Sequence, residues 1–213
     1  MLEALPTISP ISCFSLTFII PFASDTFFNK KKYRELDFLP NTQIASDQEI
    51  FGDIILGWNP QGIYLIIQVH KPFENSSSLE ASKGDGIEIF IDTRDQKSHS
   101  MTKFCHHFIF LPAASDNILS KEVTQFPVEN TRKLADSQDL LTSVTFGKRG
   151  YQMEICIMAN ALYGFNPIDI KTLGFTYLLH RKSGPSQYFS CSPKEFKIEK
   201  SPALWASGKL QQY

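Results

Sequence analysis

Gly84-Asp85-Gly86-Ile87-Glu88-Ile89-Phe90-Ile91-Asp92-Thr93-Arg94-Asp95 is the stretch that most constrains the fold. It reads as a turn, a strand and a second turn. Strand side chains alternate between faces, so Ile87, Ile89 and Ile91 share one face. Glu88, Phe90 and Asp92 share the other. One face is apolar enough to bury, and the other carries two carboxylates and needs either water or partners. Such a strand requires a second layer over its isoleucines. The rest of the chain offers strands to build one. Of its 213 residues 18 are Phe, a composition that favours strands and large cores.

The runs expected to form strands are Ser12 to Phe22, Gln48 to Trp58, Ile63 to His70, Gly86 to Asp92, Lys103 to Leu111, Thr142 to Phe146, Tyr151 to Met158, Leu173 to Arg181 and Leu204 to Leu210. Asn59-Pro60-Gln61-Gly62 and Gly147-Lys148-Arg149-Gly150 read as hairpin turns. Pro112 is expected to end its strand, because proline cannot donate to a ladder. Ile63 to His70 is expected to pair beside Gly86 to Asp92. Helical signals are thin: one turn over Asn160 to Gly164, capped by Gly164, and a short helix or irregular loop over Thr131 to Leu141. Phe73 to Lys83 reads as a polar loop. No linker divides the chain. These features predict an all-β fold: one antiparallel β-sandwich domain over residues 1–213, jelly-roll or immunoglobulin-like, with two packed sheets and long loops.

A net charge of −1 gives no electrostatic footprint for nucleic acid or an acidic membrane, so neither is expected as a partner. Lys30-Lys31-Lys32 reads as a solvated loop. Ile11 to Phe22 is apolar but lacks a basic flank and contains no stretch near the ~20 residues a bilayer span needs. It reads as a first strand, neither signal peptide nor membrane helix, and the expected compartment is cytoplasmic. Cys13, Cys105, Cys156 and Cys191 form no C-x-x-C pair and sit in or beside apolar runs. Reduced thiols are the expectation, with two disulfides as the alternative.

Several side chains are candidates for chemistry. If the strands bearing Glu88, His107, Glu154 and His180 line one sheet face, these four converge, with Arg181 at the rim. Carboxylates accept and imidazoles donate, which suits a polyhydroxylated ligand. The competing reading is a buried structural network. His106 and His107 are neighbours in a strand and point to opposite faces, so they cannot share a metal ion there. Met101, Met153 and these histidines carry no paired haem motif, and no cofactor is expected. Asp92, Thr93 and Asp95 offer oxygen ligands for a calcium ion, though a simple turn explains them as well. Glu88 with Glu154 is the one carboxylate pair that a glycosidase reading can use. No nucleophile elbow, phosphate loop or H-E-x-x-H occurs.

The order of elements resembles the family 9 carbohydrate-binding modules and the wider DOMON-like β-sandwich group. The resemblance runs from about Phe51 to the end. It rests on a strand ending in Trp58, on Gly62-Ile63-Tyr64-Leu65-Ile66-Ile67-Gln68-Val69, and above all on Asp85-Gly86-Ile87-Glu88-Ile89-Phe90-Ile91-Asp92. Gly150-Tyr151-Gln152-Met153-Glu154, Leu173-Gly174-Phe175-Thr176-Tyr177 and Pro202-Ala203-Leu204-Trp205-Ala206-Ser207-Gly208-Lys209-Leu210 follow in the family's order. The resemblance implies a concave sheet face on which the acid at the Glu88 position accepts hydrogen bonds from sugar hydroxyls, with binding and no catalysis. The chain departs from the family where a tryptophan is expected near Ser82 and an arginine near Cys105. The expected ligand is a saccharide or similar polar molecule. The alternative is a structural or protein-interaction sandwich, with a protein partner, that has lost sugar binding.

Overall fold

The computed structural model describes residues 15–24, 27–28, 38–40, 48–74, 80, 83–127, 131–194 and 196–211. Cys13, Lys30-Lys31-Lys32, Ser82 and the start of the first expected strand lie outside them. Among the described residues eleven strands are formed: β1 (Thr17–Ile20), β2 (Gly52–Asn59), β3 (Gly62–Val69), β4 (Gly86–Asp92), β5 (Cys105–Ser115), β6 (Ile118–Glu122), β7 (Leu140–Phe146), β8 (Tyr151–Met158), β9 (Thr172–His180), β10 (Gln187–Tyr188) and β11 (Ala206–Leu210). The helical pieces among the described residues are single 3₁₀ turns, as at Ser137–Asp139 and Ala159–Ala161. None of these is long and apolar enough to cross a membrane.

The strands form two sheets. The larger has seven strands in the order β1-β11-β9-β4-β5-β6, with β10 added beside β9; the smaller has four, β2-β3-β8-β7. The fold is thus the expected two-sheet sandwich. Both predicted hairpins form, β2 with β3 and β7 with β8. At Gly150 a Cβ would lie 1.9 Å from the Val69 carbonyl oxygen, so only glycine fits that turn.

Three expectations need correction. β3 does not pair with β4: it lies in the opposite sheet, and β4 is flanked by β5 and β9. The isoleucines of β4 meet β3 across the core instead of along an edge. Pro112 does not end β5, which runs on to Ser115. The register between β5 and β6 slips between Phe110 and Ser115, and such an irregularity tolerates a residue with no N–H. The sandwich is also not purely antiparallel, because β1 runs parallel to β11.

The core lies between the sheets. Ile87, Ile89 and Ile91 are fully buried there beside Phe108, Phe110, Phe175 and Leu179. They meet Leu65, Ile67, Met153, Ile155 and Ile157 of the smaller sheet. Gln187 clasps the two sheets together. Its Oε1 accepts from the backbone N–H of Phe51 and Gly52 at 2.8 and 2.9 Å. Its Nε2 donates to the Gly52 carbonyl at 2.7 Å and to the Tyr177 hydroxyl at 2.8 Å.

The outward face of the larger sheet is only partly open. Phe90, Cys105 and Leu178 are roofed by Met101 and by Cys191, Ile198 and Trp205 from the segment between β10 and β11, forming a second apolar cluster. The remaining end of this face carries Glu88.

Burying an isoleucine is worth ~1.5–3 kcal/mol, and truncating one in a packed core leaves a cavity as well. Ile89→Ala is expected to lose ~2–5 kcal/mol in urea unfolding. The same truncation at the exposed Leu119 should lie near zero. Equal losses at the two positions would contradict the sandwich.

Candidate functional site

Pairing register decides which side chains reach Glu88. On β4 it stands opposite Leu178 of β9 and Ile109 of β5. His180 is opposite Gly86, and His107 is opposite Phe90. The two histidines therefore sit diagonally on either side of Glu88, on the same outward face, within reach of long side chains. His180 Nε2 lies 2.7 Å from Glu88 Oε1, and His107 Nε2 lies 2.5 Å from Oε2. An ionised carboxylate only accepts, so both Nε2 atoms carry the proton.

His180 Nδ1 is 2.7 Å from the Ser186 hydroxyl, which completes a Ser186–His180–Glu88–His107 chain. The His107 ring stacks on Phe90 at a centroid distance of 4.3 Å, which orients it. The carboxylate is 15% exposed, against 13% and 5% for the rings of His107 and His180. Burial by itself raises the Glu88 pKa. Hydrogen bonds from His107 and His180 and their charge outweigh that and hold it at about 2.

Not every candidate joins this group. Glu154 is on β8, in the smaller sheet. It faces outward between Ile66 and Ser143 and accepts from Gln152 Nε2 at 2.9 Å. Glu88 and Glu154 thus lie on opposite outer surfaces of the sandwich and cannot flank one glycosidic bond. Arg181 follows His180 and turns to the other side of the sheet. Its guanidinium lies over the Phe51 ring, 5.6 Å from the centroid, and donates to Glu74 Oε1 at 2.7 Å. The structure brings Glu88, His107 and His180 together as one candidate group, and Ser186 is the member that sequence reasoning missed. Nothing in Ser183-Gly184-Pro185-Ser186 beyond its turn composition points to it.

His106 points inward, as alternation requires. It belongs to a buried network with Glu122 and Arg132, where Nδ1 lies 3.0 Å from Glu122 Oε1 and 2.7 Å from Arg132 Nη2. Arg132 holds both carboxylate oxygens of Glu122, and Thr124 Oγ1 and the Ala135 N–H donate to the same group at 2.6 Å each. Burial raises the Glu122 pKa and the bonds from His106 and Arg132 overcome it, leaving it at about 2. Burial lowers the pKa of His106, so its ring is neutral.

The acidic turn after β4 uses its oxygens internally. Asp92 accepts from the N–H groups of Arg94 and Gln96 at 3.0 and 2.8 Å, and Asp95 pairs with Lys97 at 2.8 Å. Among the described residues, no three His, Cys, Asp or Glu side chains are arranged to hold a metal ion. Cys105 and Cys156 are free thiols. Cys105 is buried against the roof of the outward face, and burial pushes its thiol up to about 11.

The family model described as "Carbohydrate family 9 binding domain-like" matches residues 22–187, and this chain belongs to that family. Two solved structures share the fold. One is a carbohydrate binding module family 9 from Caldicellulosiruptor kristjanssonii in complex with glucose. It is 17% identical, with a TM-score of 0.59, covering 92% of this chain and 96% of that one. The other is a module of the same family and organism in complex with cellotriose, 16% identical, with a TM-score of 0.58 and coverage of 92% and 94%. No curated protein sequence matches the chain.

The folded pKa of Glu88 lies below its ordinary 4.5. Its ionised form therefore contributes stability above about pH 4.5, and that contribution is lost as pH falls through about 2. Glu88→Gln keeps the shape but leaves one histidine N–H without an acceptor. The stability gap between wild type and Glu88→Gln is expected to be widest at neutral pH and to close as pH falls from about 4.5 toward 2. Urea titrations across that range measure it, and a gap independent of pH would refute the assignment. Arg132→Ala leaves Glu122 buried without its cation and is expected to cost ~3–5 kcal/mol. Adding Glu122→Gln should recover part of that loss.

Proposed function

We propose that this chain is a non-catalytic saccharide-binding module whose ligand is held at Glu88. The observation that carries this reading is the Glu88 carboxylate itself, ionised, pinned in one orientation by His107 and His180, and still partly open to solvent. A carboxylate offers about four acceptor positions, and the histidines use two. The remaining lone pairs suit a pair of sugar hydroxyls. His107 Nδ1 has no protein partner among the described residues and adds a further polar contact beside them. Membership of the carbohydrate family 9 binding domain-like family and the resemblance of the Glu88 strand support the same reading.

Two features bear on strength and length of ligand. At the position where the resemblance puts an arginine, Cys105 is buried and supplies no guanidinium. Among the described residues, the roof carrying Trp205 covers part of the face while Glu88 stays partly exposed, which favours a mono- or disaccharide over a long chain. Affinity of about millimolar, near −4 kcal/mol, is expected. Glu154, the partner that a glycosidase reading would need, lies on the opposite outer surface from Glu88, so that pair cannot act on one glycosidic bond. The free thiols support a reducing, cytoplasmic setting. The second reading, a sandwich that works through a protein partner, is favoured by the same filled half of the face.

Losing a charged hydrogen bond costs ~1.5–3 kcal/mol, or roughly ten- to a hundred-fold in affinity. Glu88→Ala is expected to abolish the binding of neutral mono- and disaccharides in calorimetry while the circular dichroism spectrum stays native. Wild-type protein that binds nothing on a glycan array, or a Glu88→Ala variant that binds as wild type does, would hand the site to the protein-partner reading.

A further inference from the structure

A second polar constellation lies at the other end of β4, where three loops meet. Arg94 follows β4, Lys103 and Phe104 precede β5, and Tyr163 follows the 3₁₀ turn after β8. Thr93 ties the three together. Its N–H donates to the Phe104 carbonyl at 3.1 Å, and its Oγ1 donates to the Tyr163 carbonyl at 2.8 Å. Gly164, at φ +80°, lets the backbone pass under the Phe104 ring; a Cβ there would lie 2.6 Å from Phe104 Cδ1. The rings of Phe104 and Tyr163 are thereby set side by side, 5.7 Å between centroids and 34° apart in plane. Tyr163 is 45% exposed.

Two cations stand on this aromatic pair. The Arg94 guanidinium carbon is 5.0 Å from the Phe104 centroid, and Lys103 Nζ is 5.3 Å from Phe104 and 5.8 Å from Tyr163. Neither is paired with a carboxylate among the described residues, although the chain as a whole is slightly acidic. Beside them, the Asp92 carboxylate accepts from the backbone and Asp95 forms an ion pair with Lys97. In addition, Arg94 Nε is buried with no hydrogen-bond partner. That nitrogen is out of a ligand's reach, but Arg94 itself is only half-buried and its other guanidinium N–H groups carry no partner among the described residues, which leaves them as donors for an anion.

We propose that Arg94, Lys103, Phe104 and Tyr163 form a second, separate binding site for a carboxylate-bearing saccharide, such as a uronic acid. The carboxylate pairs with Arg94 and Lys103, and the apolar C–H face of the sugar ring lies against Tyr163. The platform is fixed before binding, so little ordering accompanies capture. This site shares no residue with Glu88 and does not depend on what Glu88 binds.

The test is calorimetry with trigalacturonate, with cellotriose and inorganic sulfate as comparison probes, at low and high salt. Trigalacturonate is expected to bind the wild type and to weaken several-fold as salt screens the two cations. Lys103→Gln and Tyr163→Ala alter exposed side chains and should each weaken it about five- to tenfold, and Arg94→Gln more. Glu88→Ala should leave trigalacturonate binding unchanged, which separates this site from the Glu88 reading. The proposal is overturned if trigalacturonate does not bind. It is equally overturned if Lys103→Gln and Tyr163→Ala bind it as wild type does, if Glu88→Ala abolishes its binding, or if sulfate alone binds as tightly.

Discussion

The molecule depends on the two faces of β4 being put to different uses. Its isoleucines are the part of the larger sheet that closes the core against β3 and β8. Because strand side chains alternate without exception in a regular strand, burying Ile87, Ile89 and Ile91 commits Glu88, Phe90 and Asp92 to the outward face. A one-residue slip would bury two carboxylates and expose three isoleucines. That penalty fixes the register of β4 against β5 and β9, and the register in turn places His107 and His180 diagonally beside Glu88.

Two carboxylates of this protein are held near a pKa of about 2, and the physical situations differ. Glu122 is sealed in with Arg132, Thr124 and a backbone N–H, and its role is to anchor the chain around Arg132 onto β5 and β6. Among the described residues Glu88 has only histidines as side-chain partners, and it stays partly exposed to solvent. Adjacent residues on β5, His106 and His107, serve these two groups on opposite faces of one strand. Among the described residues, neither face gathers three His, Cys, Asp or Glu side chains placed to hold a metal ion.

The outward face shows how a fold and its ligand chemistry separate. Cys105 and Phe90 are packed under Trp205, so part of the surface has become a second small core. Polar contacts have retreated to Glu88 at one end and to the cationic aromatic pair at the other.

Much of the scaffold was legible in the sequence. Period-two alternation and the Asn59–Gly62 and Gly147–Gly150 turns located β2, β3, β4, β7 and β8, because those signals are local. β6 and β10 were not legible: Ile118–Glu122 and Gln187–Tyr188 are short, polar at their cores and held by long-range partners. Which strands share a sheet was not legible either, so β3 was expected beside β4 and Glu154 beside Glu88. Alternation tells which residues share a face of one strand, and carries no information on which strand lies alongside. By itself the sequence determined that Glu88 points away from the isoleucines of its own strand and that His106 and His107 point to opposite faces of theirs; which of the two histidines faces the core was decided by the pairing of β5 with β4. Only the tertiary structure decided that His180 and Ser186 join Glu88 while Glu154 does not. It alone also brought Arg94, Lys103, Phe104 and Tyr163 together, because sheet order and loop convergence are set by contacts between residues far apart in the chain.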